Sequence, residues 1–114
     1  MKLDLLDSAR TFSANGHNIK DYGKIHLERD EMVSFKTTSG KEFDFVSKEW
    51  GFYATPSINK RLKNEGFKTA LVLNNENNIY VMVVENDKLD AFNEYLIHSQ
   101  NNKIICWLDD FFNY

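Results

Sequence analysis

Cysteine is almost missing from these 114 residues. Cys106 stands alone, so no internal disulfide framework and no multi-cysteine zinc site can form. The simplest setting for such a chain is a reducing cytoplasm. Proline occurs once, at Pro56, and glycine five times. With no Pro- or Gly-rich linker and no repeat of 20 residues or more, the sequence predicts one domain spanning residues 1–114. No apolar run approaches the about 20 residues of a transmembrane helix, and Asp4 and Asp7 interrupt the stretch a signal peptide needs. No membrane association is therefore expected. An excess of positive charge is also lacking. Fourteen bases face seventeen acids, for a formal charge of −3 and a pI near 5.6, which argues against generic binding to nucleic acid or anionic lipid.

Aromatic side chains are plentiful, with nine Phe, five Tyr and two Trp, enough large apolar area for a modest core. Leu3, Leu6 and Ala9 or Arg10 recur at helical spacing and predict a short helix from Met1 to about Ser13, stopped by Asn15-Gly16. Lys24 to Arg29 alternates, with Ile25 and Leu27 inward. Met32–Thr37 and Lys41–Ser47 predict a hairpin, with Val33, Phe35, Phe43 and Phe45 on its dry face. Thr55-Pro56 reads as an N-cap and first helical position, opening a helix over residues 56–65 that stops at Gly66. Phe67–Leu73 and Ile79–Glu85 are apolar on both faces and predict a second hairpin of two central strands. Asn86 or Asp87 caps a helix carrying Leu89, Phe92 and Leu96 at i, i+3 and i+7. Ile104–Leu108 is a last strand. The order α-β-β-β-α-β-β-α-β predicts an α+β domain, a mainly antiparallel sheet of about five to six strands packed by two to three helices.

The segment Trp50-Gly51-Phe52-Tyr53-Ala54-Thr55-Pro56-Ser57 concentrates aromatics before the expected helix start. Amides in a first helical turn lack intrahelical acceptors and attract anions, and Ser57 and Arg61, four apart, share a face. Trp50, Tyr53, Thr55, Ser57, Asn59, Lys60 and Arg61 are therefore the candidate binding residues, for a small anionic ligand or a protein partner. The competing reading makes Trp50, Phe52 and Tyr53 core and Arg61 a solvated surface residue. Lys60, Arg61, Lys63 and Lys68 also form a basic patch beside stacking aromatics. Val46–Gly51 followed by Ser57–Gly66 resembles the helix-turn-helix of winged-helix DNA-binding domains, with Phe67–Glu85 as the wing. That resemblance implies a nucleic-acid-binding regulator reading DNA through the basic helix 56–65.

Catalysis finds less support. His17, His26 and His98 lack metal-ligand spacing, Cys106 sits in an apolar strand, and no nucleophile elbow or phosphate loop is present. No cofactor and no metal are expected. Asp109-Asp110 reads as a solvated strand end. The pairs Asn74-Asn75, Asn77-Asn78 and Asn101-Asn102 read as turn chemistry. Trp107, Phe111, Phe112 and Tyr114 either fold back over the sheet or supply a homodimer contact, which a sheet edge would equally offer. An acidic surface bearing Phe and Tyr also suits an immunity or inhibitor protein facing a basic partner. The reading favoured by the sequence is a non-catalytic interaction or ligand-binding domain.

Overall fold

A computed structural model describes residues 1–98 and 101–111. Phe112 and Tyr114 of the aromatic tail lie outside the described residues. The fold is α+β with antiparallel sheets, and the chain divides into two compact units. The first comprises Met1–Phe35 and Asp44–Thr55, the second Lys36–Phe43 and Pro56–Tyr114.

The first unit begins with a correction. Residues expected as a helix form strand β1 (Lys2–Ala14), paired antiparallel with β2 (His17–His26). The turn explains why. Asn15 and Gly16 both adopt positive φ, 54° and 79°, between the paired residues Ala14 and His17. Two left-handed residues in a two-residue loop match the right-handed twist of a hairpin, and Asn-Gly supplies them at least cost. Leu5 pairs with Gly23 and Arg10 with Asp21, so Leu6–Ala9 face Tyr22 alone. This bulge breaks the strict alternation of β1 and leaves Leu3, Leu6 and Ala9 at accidental helical spacing.

Three further strands, β3 (Met32–Lys36), β4 (Glu42–Lys48) and β5 (Gly51–Ala54), follow in the spatial order β3-β4-β5. Within the first unit, buried Ser47 ties the preceding turn to β4. Its amide donates to Glu31 O at 2.9 Å, and its carbonyl accepts from Asp30 N at 2.8 Å.

The second unit holds a sheet in the order β7-β6-β8, from β6 (Phe67–Leu73), β7 (Ile79–Glu85) and β8 (Lys103–Trp107). β6 is central as expected, but β7 is an edge strand with Ile79 and Val81 exposed. Among the described residues eight strands form three sheets, where five to six strands in one sheet were expected. Two α-helices accompany them. Helix α1 is only Arg61–Asn64, while α2 (Leu89–His98) follows a 3-10 turn at Asn86–Lys88. As its periodicity implies, α2 buries Phe92 and Leu96 against Ala70, Val72 and Val84. Trp107 closes this core, its ring 5.9 Å from Phe92.

The expected start of α1 is also corrected. Thr55 caps no helix, because its amide and hydroxyl both reach Asp44 O, at 3.0 and 3.5 Å. A residue before proline is pushed towards extended geometry, which keeps Thr55 in register with β4 and buries Pro56. Helix begins only at Arg61, whose amide donates to Ser57 Oγ at 3.0 Å. A helix of four residues nucleates poorly by itself; fully buried Leu62 anchors it to the second unit's core.

Two acids are buried in the second unit, Glu85 and Asp109, the latter expected from the sequence as part of a solvated strand end. Asp109 Oδ1 accepts from Thr69 N at 3.1 Å, and Oδ2 lies 4.0 Å from Lys68 Nζ. Glu85 Oε1 accepts from the hydroxyls of Thr37 (3.0 Å) and Ser39, and Lys88 Nζ lies 3.2 Å from Oε2. These hydroxyls and the lysine hold the Glu85 carboxyl well below the usual carboxylate range, down to about 2. Glu85 thereby fastens the hairpin tip Lys36–Phe43 to β7, assisted by the Lys41–Asp87 ion pair at 2.9 Å.

Candidate functional site

Among the described residues, every buried hydrophobic one, from Leu62 to Leu96, belongs to the second unit. The first unit buries none, although it is rich in large apolar side chains. The hairpin of β1 and β2 shows how they are arranged. Cross-strand partners share a face, so Leu3 with Ile25 and Leu5 with Gly23 form one apolar block, and Phe12 with Ile19 a second. The Arg10–Asp21 ion pair (3.0 Å) separates the blocks, with the guanidinium 5.4 Å from the Phe12 ring. The opposite face carries Lys2, Asp4, Lys20, Lys24 and His26. This is an amphipathic ribbon whose apolar face is wet: Leu3 is 52% exposed and Leu5 58%.

Gly23 sets the bend. Its φ is +121°, and a Cβ there would lie 2.2 Å from Asp4 O, so no other residue allows this close crossing of the strands. Asp21 fixes the same point by accepting from Gly23 N at 3.0 Å and from Arg10. Both hydrogen bonds, the backbone one first, lower its pKa.

Beyond the bend, Gly23, Ile25 and Leu27 join Val33, Phe35, Phe45 and Phe52 around an open trough of about 470 Å³. All seven belong to the first unit. Phe35 and Phe45 meet edge to face at 5.9 Å and 66°, while Phe52 projects from β5 with 63% of its surface exposed. The walls carry no charged side chain. Removal from water favours the placing of apolar groups against such walls. The face containing Val33, Phe35 and Phe45 and the inward set Ile25 and Leu27 were legible in the alternation. The contribution of Leu3, Leu5, Phe12 and Ile19 was hidden by the helical reading of β1; Asn15-Gly16 between Phe12-Ser13-Ala14 and His17-Asn18-Ile19 was the signal that could have exposed it.

The residues singled out from the sequence fall into both units. Trp50, in the β4–β5 turn and 72% exposed, stacks on exposed Tyr53 at 6.1 Å and 20°. Neither is core. Thr55 belongs with them to the first unit, whereas Ser57, Asn59, Lys60 and Arg61 belong to the second. Ser57 Oγ already accepts the Arg61 amide, and Arg61 Nε lies 3.7 Å from Glu65. The short α1 has neither the length nor the dipole that the anion reading requires. Asn59 lines a shallow apolar cleft with Ile58, Leu108 and Phe111.

The winged-helix resemblance is corrected too. Val46–Gly51 lies on β4, the following turn and the start of β5, without a helix, and the 67–85 hairpin is sheet interior on its β6 side. Lys68 does not extend a basic patch, because its ammonium sits 4.6 Å from the Trp107 ring centroid and beside Asp109.

Five of the six paired asparagines converge elsewhere in the second unit. Asn74, Asn75, Asn77, Asn101 and Asn102 line a cleft of about 590 Å³ with Lys103 and apolar neighbours. Their turn chemistry is evident: Asn74 Oδ1 accepts from the amides of Glu76 and Asn78, and Asn77 and Asn101 hold positive φ. Among the described residues, no group of three or more His, Cys, Asp or Glu is placed to hold a metal ion, and no helix is long and apolar enough to cross a membrane. Comparison with known proteins finds no matching family model, curated protein or solved structure.

Proposed function

We propose that this chain is a non-catalytic protein-interaction module whose contact surface is the apolar trough and ribbon face of the first unit. The observation that carries the reading is the contrast between the units: one builds a closed core, while the other displays Leu3, Leu5, Ile25, Phe35 and Phe52 on surfaces that water disfavours. Contiguous exposed apolar surface on a folded protein marks a binding face, and aromatic anchors such as Phe35 and Phe52 are the side chains that dominate such interfaces. A reducing, cytoplasmic setting suits the free thiol of Cys106.

Charge favours a protein partner over the other candidates. The first unit holds six bases and eight acids, the second eight and nine. Neither concentrates one sign, so neither nucleic acid nor a strongly basic enzyme finds an electrostatic complement.

The test is a photo-reactive phenylalanine analogue at Phe52, incorporated in the protein's own host, with Glu94 on α2 as the control position. A discrete protein adduct at position 52 and none at 94 is expected. Equal, diffuse labelling at both positions would refute the reading.

A further inference from the structure

We infer that the outer edge of β7 is a strand-acceptor site, which takes an extended segment of a partner protein as a fourth strand of the second unit's sheet. Backbone register makes the case. In the order β7-β6-β8, β7 pairs with β6 alone. Both ends of that ladder are pinned, by Asn74 N donating to Asn78 O at 3.0 Å and Asn86 N to Gly66 O at 2.8 Å. Antiparallel hydrogen-bonded pairs recur at every second residue, so Tyr80, Met82 and Val84 commit their amides and carbonyls to β6. Ile79, Val81 and Val83 turn theirs to the opposite side, where among the described residues no backbone partner meets them. Each offers one donor and one acceptor, repeated about every 6.8 Å along the strand. Only a polypeptide main chain in extended form carries the complementary groups at that spacing, which fixes the chemistry of the occupant.

The edge also lacks the devices that keep unpaired strands from taking partners. Charge, proline and bulges blunt such edges. Residues 79–84 contain no charged residue, proline or glycine, and their register with β6 runs unbroken from the Leu73–Ile79 pair to the Phe67–Glu85 pair. The other edge of the same sheet is different: β8 opens on exposed Lys103 and slips register between Leu71 and Val72. Ile79 and Val81 stay 61% and 64% exposed beside the unpaired groups. Side chains next to the incoming strand are apolar on both faces, with Ile79 and Val81 on one and Tyr80 and Met82 on the other. The segment that fits is therefore uncharged and rich in β-branched residues, whose cross-strand pairs with these side chains add to the main-chain bonds. The site lies wholly in the second unit, so it stands or falls apart from the trough.

Amide hydrogen exchange of the full chain, read residue by residue by NMR, tests the inference. The probe is a blocked peptide alternating threonine and valine between terminal lysines. In the chain alone, the amides of Ile79, Val81 and Val83 should exchange fast and those of Tyr80, Met82 and Val84 slowly. Peptide at about ten times its dissociation constant should slow the first three about tenfold and leave the other three unchanged. Val81→Pro removes an outward N–H and no bond to β6, which an edge strand tolerates; circular dichroism should show the fold retained while the protection of Ile79 and Val83 is lost. Val81→Lys, which puts a charge on the edge without altering the backbone, should weaken the peptide likewise. Exchange at the three outward amides that ignores the peptide overturns the inference, as does equal slowing of both sets. If those amides are already slow in the chain alone and slow further with chain concentration, the edge takes a second copy and the partner-protein assignment falls. None of these outcomes bears on capture at position 52.

Discussion

Truncating Leu5 to alanine distinguishes an exposed ribbon from a covered one. In the isolated chain Leu5 is 58% exposed, so less than half of its side chain is out of water. Complete burial of a leucine contributes about 1.5–3 kcal/mol; the partial burial seen within one chain corresponds to about 1 kcal/mol. When a partner covers the ribbon face, the same truncation removes a fully buried side chain and leaves a cavity, at about 2–5 kcal/mol. Two references frame the result. Leu96→Ala, at 4% exposure among Ala70, Val72, Val84 and Phe92, should cost the full core amount, and Ile97→Ala, 70% exposed, about 0.5 kcal/mol or less. Urea unfolding followed by circular dichroism reads all three. With a slope of about 2 kcal/mol per molar for a domain of this size, Leu5→Ala should move the midpoint by about 1 M or more in the partner-bound protein. A Leu5 variant that tracks Ile97→Ala with the partner bound would refute the reasoning.

Three other perturbations probe the scaffold around that face. Gly23→Ala places a side chain at φ +121° against Asp4 O; backbone strain alone costs about 1–3 kcal/mol, and amide exchange should accelerate in β1 and β2 while α2 stays protected, whereas unchanged exchange would contradict the close crossing. Because Glu85 has a folded pKa of about 2 against an ordinary 4.5, the stability it supplies is complete above about pH 4.5 and disappears as pH falls towards 2. Thermal melts across that window should therefore fall more steeply for the native chain than for Glu85→Gln, and parallel curves would dismiss the clamp. Asp109→Ala leaves the buried Thr69 amide without its acceptor and should lower stability by about 1–3 kcal/mol in urea titrations; a neutral result would mean that water satisfies the amide.

Local signals were legible where one period ran uninterrupted. The alternation of Val33, Phe35, Phe43 and Phe45 and the i, i+3, i+7 spacing of Leu89, Phe92 and Leu96 both correspond to the elements found. Signals with two physical meanings misled. Asn15-Gly16 supplies positive φ equally to a helix end and to a hairpin turn, and the bulge at Leu6–Ala9 removed the alternation that would have decided between them. Thr55-Pro56 resembles a helix start, yet the extended geometry imposed on a residue before proline served the pairing with Asp44 instead. Long-range partnerships were invisible in principle. Glu85 is buried by Thr37 and Ser39, and Asp109 by Thr69, each from a segment about 40 or more residues distant, and no local pattern encodes such meetings. The trough was half legible: its residues were expected to face inward, but nothing in their spacing revealed that the inward side stays open.

Residue-level carbene footprinting of the native protein addresses that open side directly. Covered by a partner, Leu5, Ile25, Phe35 and Phe52 should take up as little label as Phe92 in the core, while Ile97 is heavily modified. Labelling of those four in proportion to their exposure in the single chain would show the trough bare in solution and contradict the account.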